Sequence, residues 1–257
     1  MISFIVLTGI FLWSRIYRLP QTFDLFGDSA RDLLELEEWR TTKLPPLLGP
    51  HTSAISFNQS AWYFYYLFPF YLVSGQTLYT TQIAVIFWYL AWLAIGFRWG
   101  ETYGLTKPRL LILWFVIVFQ PLLISQTRTV WNPSLILPLL IAALLIQLKW
   151  WKRKASNKEL ALWSILTMLS VGFSYSVIPT VFLMILMALW SVKNKSGWLV
   201  GFLAASLVLV NIGTIGYELK YHFLLTKNLP NQQVLQTSSN YLDKLSLMGE
   251  FLLGRSL

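Results

Sequence analysis

Apolar runs of about 15–22 residues recur along the whole sequence, close to the ~20 that a helix needs to cross a bilayer. Inside lipid every backbone N–H and C=O must be bonded within the protein, which leaves helices or a closed barrel. The runs show no strict two-residue alternation, so the barrel is set aside and an all-α, polytopic integral membrane protein is predicted. Charge usage agrees: only 12% of residues are Asp, Glu, Lys or Arg, about half the ~25% of a soluble domain. The chain has no cysteine and two widely separated histidines, His51 and His222. That removes disulfides, thiolate metal sites and a Cys nucleophile, and argues against a His-rich zinc site. The formal charge of +9 sits in short patches between apolar runs, where topology signals belong, so no nucleic-acid partner is expected.

The runs lie near 1–17, 60–74, 77–97, 109–126, 132–148, 160–175, 177–191 and 197–216. The first lacks a basic leader and a small-residue cleavage site, so it reads as a retained anchor. It is short, and the true start is expected upstream. Compact basic loops at 98–109, 149–158 and 193–195 should all face the cytoplasm. They do so, with the N-terminus inside, only when 60–74 lies in the interface instead of spanning. That segment, AWYFYYLFPFYLVSG, is short, rich in Tyr and Trp, and interrupted by Pro69. Seven spans are therefore predicted, with loops 18–76, 126–131 and 217–257 outside. The external side then holds nine of the eleven acids, and the cytoplasmic loops only Glu101 and Glu159. The external tail is expected to end in an amphipathic helix near 240–253.

Three external segments carry candidate chemistry. In FDLFGDSARDLLELEEW, helical spacing puts Asp28, Arg31, Asp32 and Glu35 on one face. A carboxylate pair beside a guanidinium suits general-base work on an alcohol next to a bound phosphate. The same spacing also describes the solvated face of an in-plane amphipathic helix. In SQTRTVWNPSL, Arg128 ends one span and Asn132 precedes Pro133 at the start of the next. This is either ordinary capping with a snorkelling anchor, or a cation placed for a lipid phosphate. In GYELKYHF, Tyr217, Glu218, Lys220 and His222 are either interfacial anchors or part of a substrate loop, as is His51 in LLGPHTSAISF.

The order of these elements, from the Asp-x-x-Arg helix through GP-x-TS and the aromatic helix to R-x-x-WNP and YELKYHF, resembles a known family. It is similar to bacterial members of the dolichyl-phosphate-mannose–protein mannosyltransferase-like family, which includes the aminoarabinose transferases that modify lipid A. The likeness covers nearly the whole chain. It implies a C-type glycosyltransferase module of seven spans with two in-plane helices in the first external loop. By that likeness Asp28 and Asp32 are the catalytic acids, with Asp28 the base that activates an acceptor hydroxyl, and Arg31 and Arg128 bind the donor phosphate. His51, Asn132, Tyr217, Glu218, Lys220 and His222 would line the substrate loop. The implied donor is a sugar on polyprenyl phosphate; the acceptor is a glycan, lipid or protein hydroxyl at the outer face of the plasma (inner) membrane. Reaction would proceed with inversion.

The sequence departs from the common pattern at Ser29, beside the first acid, at Asn132, where many members have an acid, and at Gly49–Pro50–His51, where many have Lys-Pro-Pro. Full-length relatives are longer, and the chain is expected to be the N-terminal part of such an architecture. Asp28 and Asp32, with Glu218, could hold a divalent ion through oxygen ligands; Arg31 and Arg128 could serve the same phosphates without one. Two other functions fit the apolar pattern: a transporter or flippase for a lipid-linked or small substrate, and a non-catalytic partner subunit. Against transport, the runs hold almost no mid-membrane ionisable residues.

Overall fold

The computed structural model describes residues 2–22, 27–51, 58–75, 77, 79–102, 105–128, 132–151 and 154–228. The amphipathic helix expected near 240–253 lies outside them. The chain forms α1 (Ile2–Ile16), α2 (Leu19–Thr22), α3 (Gly27–Thr42), α4 (Trp62–Val73), α5 (Thr80–Thr102), α6 (Lys107–Phe119) and α7 (Pro121–Arg128). There follow α8 (Ile136–Trp150), α9 (Asn157–Phe173), α10 (Ile178–Ser191), α11 (Ser196–Val210), α12 (Ile212–Lys220) and α13 (Leu224–Asn228). The fold is all-helical; among the described residues there is no strand, only an isolated bridge between His51 and Asn58.

Hydrogen bonds sort the helix ends into two groups. At one end, Ser60 donates from its N–H to the Gly172 carbonyl (2.9 Å) and from Oγ to the Val210 carbonyl (2.5 Å). Trp62 Nε1 donates to the Leu209 carbonyl (3.1 Å), and Tyr175 donates to the Asn58 carbonyl (2.9 Å). These bonds tie the start of α4 to the C-terminal ends of α9 and α11 and to the approach to α10. Arg128, ending α7, donates to the Ser14 and Tyr17 carbonyls at the end of α1 (3.3 and 2.9 Å). Gln82, at the start of α5, donates to the Arg128 carbonyl (3.4 Å). At the other end, Lys149 pairs with Glu159, Lys195 Nζ donates to Asn157 (2.9 Å), and Trp151 Nε1 donates to Ser191 (2.9 Å). Ser156 and Glu159 form a capping box that starts α9 there. Among the described residues α8, α9, α10 and α11 therefore each run between the two groups, in alternating directions.

The helix α4 does not cross. It begins against Gly172 and Val210 and finishes where Ser74 meets Thr80 (2.7 Å), both at the same end. Its 12 residues reach about 18 Å. It buries Tyr63, Phe64, Leu67 and Tyr71, positions that recur at helical spacing. The helix α3 runs alongside it in the same direction. Trp39 stacks on Phe68 with centroids 3.8 Å apart, Leu36 is buried, and Tyr71 donates to Glu37 (2.7 Å). Arg40 holds the same carboxylate, and these bonds keep Glu37 down at about 2, below the ordinary carboxylate range.

Two helices, Thr80–Thr102 and Asn132–Trp150, are by themselves long and apolar enough to cross a membrane. The number rises to four when each of two bent pairs is taken as one span. The apolar helices Ser3–Ile16 and Tyr175–Ser191 are shorter. The outer surface is apolar: Ile112, Phe182, Leu183, Val208 and Trp190 are all more than half exposed. Apolar side chains on this scale mark a surface that water does not normally cover.

The run predicted as one span over 109–126 bends by 59° between α6 and α7. Pro121 has no N–H, so the Ile117 carbonyl four residues earlier loses its helical partner. Arg15 replaces it: Nη2 donates to the Ile117 carbonyl (2.9 Å) and Nη1 to the Val118 carbonyl (2.7 Å). The guanidinium also lies 4.2 Å from the Phe11 ring centroid. Arg15, near the end of the first apolar run, is fully buried in the bundle as the partner of this break. The run over 197–216 bends similarly, by 57°, between α11 and α12.

Candidate active site at the loop end of the bundle

The helix α3 carries the first-loop acids, and Arg31 holds them together. Its Nη1 donates to Asp28 Oδ1 (2.9 Å), while Nη2 and Nε donate to Asp32 Oδ1 (3.0 and 3.3 Å). A long contact from Nη1 to the His51 carbonyl (3.5 Å) joins the cluster to the Gly49–Pro50–His51 turn. The two carboxylates differ in depth. Asp32 is completely buried, and its second oxygen accepts from the Tyr63 hydroxyl (2.9 Å). Asp28 keeps 39% of its side chain exposed, and Arg31 keeps 37%. The buried acid therefore anchors α3 to α4, and the exposed acid and guanidinium face the loop end.

Burial pushes the Asp32 carboxyl up to about 6, with Arg31 and the Tyr63 hydroxyl working in the opposite direction. The Tyr63 hydroxyl, itself buried beside Asp32, is raised well above its ordinary value. From an unfolded value of 3.8, folded Asp32 holds a proton that the unfolded chain releases between about pH 4 and 6. Stability contributed by this group is complete below that window and falls as pH rises through it, by on the order of 3 kcal/mol. Unfolding midpoints of detergent-solubilised protein at pH 4, 5, 6 and 7 should show this decline. The Asp32→Asn variant should lack it; an unchanged slope in the variant would assign the decline to another group.

The remaining candidates fall in separate places. Arg128 caps the C-terminal carbonyls of α1, where a cation is favoured by the helix dipole. Asn132 is buried and donates through Nδ2 to the Phe173 carbonyl (2.5 Å) and to Gln59 Oε1, tying the start of the α8 pass to the first loop and α9. The His51 side chain is exposed beside the bridge to Asn58. Tyr217 packs on Tyr221 (4.5 Å), and Lys220 Nζ lies 5.1 Å from the Tyr221 ring centroid. Glu218 Oε1 accepts from the Thr226 N–H (3.3 Å), and His222 takes a left-handed backbone, φ 53°, where α12 turns into α13. Among the described residues none of these four bonds to the Asp28 cluster. Their helix meets the first loop one turn earlier, where Gly213 lies against the Leu47 carbonyl. Glu218 is likewise not grouped with the first-loop acids. Among the described residues no three His, Cys, Asp or Glu side chains gather as a metal-ligand set. Residues 129–131, including the Trp of the WNP motif, and 52–57 lie outside the described residues.

Two contributors were not read as site residues from the sequence. In the sequence Tyr63 is one aromatic among many in an interfacial run, and Gln59 is one polar residue of the loop before it. Neither has a local signal, because each partner lies tens of residues away. No protein-family model, curated protein or solved structure matches the chain.

Proposed function

We propose that this chain is the membrane module of an inverting glycosyltransferase, which moves a sugar from a polyprenyl-phosphate donor to an acceptor hydroxyl. In this reading the helical bundle spans the plasma membrane seven times, its loop end faces outside and its basic end faces the cytoplasm. The observation that carries it is the exposed Asp28 held by Arg31 over the buried Asp32–Tyr63 anchor, at the mouth of an apolar bundle. A lipid tail can lie along the apolar surface while its phosphate reaches that mouth.

The geometry suggests how the pair would work. A guanidinium has five N–H donors, and carboxylates and the His51 carbonyl occupy most of those of Arg31. A donor phosphate arriving at Arg31 competes with Asp28, since both are anionic acceptors for the planar guanidinium fork. Asp32, buried and bonded on both oxygens, keeps the guanidinium in place. Asp28, once released, takes the proton from the acceptor hydroxyl, whose oxygen attacks the anomeric carbon from the face opposite the phosphate. The anomeric C–O bond breaks, and polyprenyl phosphate leaves with its charge met by Arg31.

The purified chain in sealed vesicles, supplied with radiolabelled polyprenyl-phosphate sugars and acceptor, tests this reading. The expected result is label in a new glycosidic bond. Label that crosses the bilayer with no bond formed would support the transporter alternative instead.

A further inference from the structure

We infer a second lipid site at the opposite, basic end of the bundle: a recess between the α8–α9 and α10–α11 connections that binds the headgroup of an anionic phospholipid. The inference rests on the membrane reading above and not on sugar transfer. Two adjoining recesses of ≈ 390 and ≈ 440 Å³ share Trp190 and Ser191. Lys154, Asn194 and Lys195 line the first, and Trp150, Trp151 and Met187 line the second. One half is therefore cationic and hydrogen-bonding, and the other is aromatic and aliphatic.

The local charges decide what the cationic half can take. Glu159 is engaged by Lys149, and Glu101 lies 3.9 Å from Lys107. Among the described residues no carboxylate pairs with Lys154 or Lys195; Lys195 meets only the neutral Asn157 amide (2.9 Å). Two ammonium groups without a counter-anion favour a phosphodiester. The adjoining wall fixes the rest of the ligand. Trp151 and Trp190 are 60% and 74% exposed, and the Trp151 indole N–H is turned to Ser191 (2.9 Å). Indoles with a satisfied N–H and an open ring face belong at the boundary between headgroups and acyl chains. Phosphate between the lysines then leaves a glycerol backbone beside Ser191 and an acyl chain along Met187 and Trp150. A soluble phosphate would use the lysines but leave the aromatic half uncovered.

The test is lipid retention, measured by native mass spectrometry on chain released from nanodiscs holding equal phosphatidylglycerol and phosphatidylcholine of identical acyl chains. Wild type should retain phosphatidylglycerol about thirtyfold over phosphatidylcholine, on the scale of two lysines near a headgroup. The Lys154→Gln/Lys195→Gln double variant should lose the preference while keeping its circular dichroism. Trp190→Ala should lower retention of both lipids. Equal retention of the two lipids by wild type, or a preference that survives in the double variant, would overturn the site. Displacement by glycerol phosphate at the lipid's own concentration would overturn the lipid assignment in favour of a soluble anion. A chain that does not insert into nanodiscs would overturn the membrane reading and this site together, whereas insertion without preference would remove only the site.

Discussion

Asp28→Asn is expected to lower sugar transfer by about 100- to 10,000-fold, the range that a positioned general base contributes. The amide keeps the size of the carboxylate and can still accept from Arg31 Nη1, now at 2.9 Å from Asp28 Oδ1, so folding should be preserved. What it lacks is the basic lone pair. Donor binding should survive or tighten, because phosphate no longer competes with an anion for Arg31. A fall in kcat with unchanged or lower KM separates loss of the base from loss of the fold. Asp32→Asn should behave differently: the buried anchor weakens, Arg31 loses a fixed partner, and KM rises along with instability. Full activity in Asp28→Asn would remove this residue from the chemistry.

The largest stability effect is expected at Gly49. Its N–H donates to the Gln59 carbonyl (2.9 Å), its own carbonyl accepts from Asn58 Nδ2 (3.0 Å), and Gln59 donates back to Pro50 (2.9 Å). A Cβ at position 49 would overlap the backbone carbonyls of Gln59 and Ser60, which cannot yield as a flexible side chain could. Ser60 is in turn bonded to Gly172 and Val210, so the displacement reaches the ends of α9 and α11. Gly49→Ala should therefore cost about 3 kcal/mol, at the upper end for overpacking. Gly201→Ala makes the control. A Cβ there meets open space on α11, and alanine should gain roughly 0.5–1 kcal/mol by favouring the helix. Equal unfolding midpoints for the two variants would contradict the close packing of the first loop.

Some of this was legible in the sequence, for identifiable reasons. The all-helical fold, with helices long and apolar enough to cross a membrane, follows from apolar run length, a local property. The run 60–74 folds as the short helix α4, as its length in the sequence leads one to expect. The clustering of Asp28, Arg31 and Asp32 followed from helical spacing. Their depth did not, because spacing on α3 says nothing about which side meets Tyr63, 31 residues later. The burial of Arg15 was equally hidden. A cation near the end of an apolar run reads as an anchor, and only the carbonyls freed by Pro121, more than a hundred residues away, make it a core residue. Asn132 illustrates a third kind of ambiguity. Asn before Pro reads as an N-cap or a site residue, whereas its amide is spent joining Gln59 and Phe173 inside the bundle.

The proposed transferase requires the Asp28 end and the Lys154 end to face opposite sides of a membrane. The chain contains no cysteine, so single cysteines introduced at exposed positions report sidedness without background. Thr41→Cys on α3 and Lys154→Cys on the α8–α9 connection should be treated in intact cells with a membrane-impermeant maleimide. Labelling of Thr41→Cys in intact cells, with Lys154→Cys labelled only after permeabilisation, is the expected result. Labelling of both positions from the same side would contradict the proposed orientation and, with it, an external transferase site.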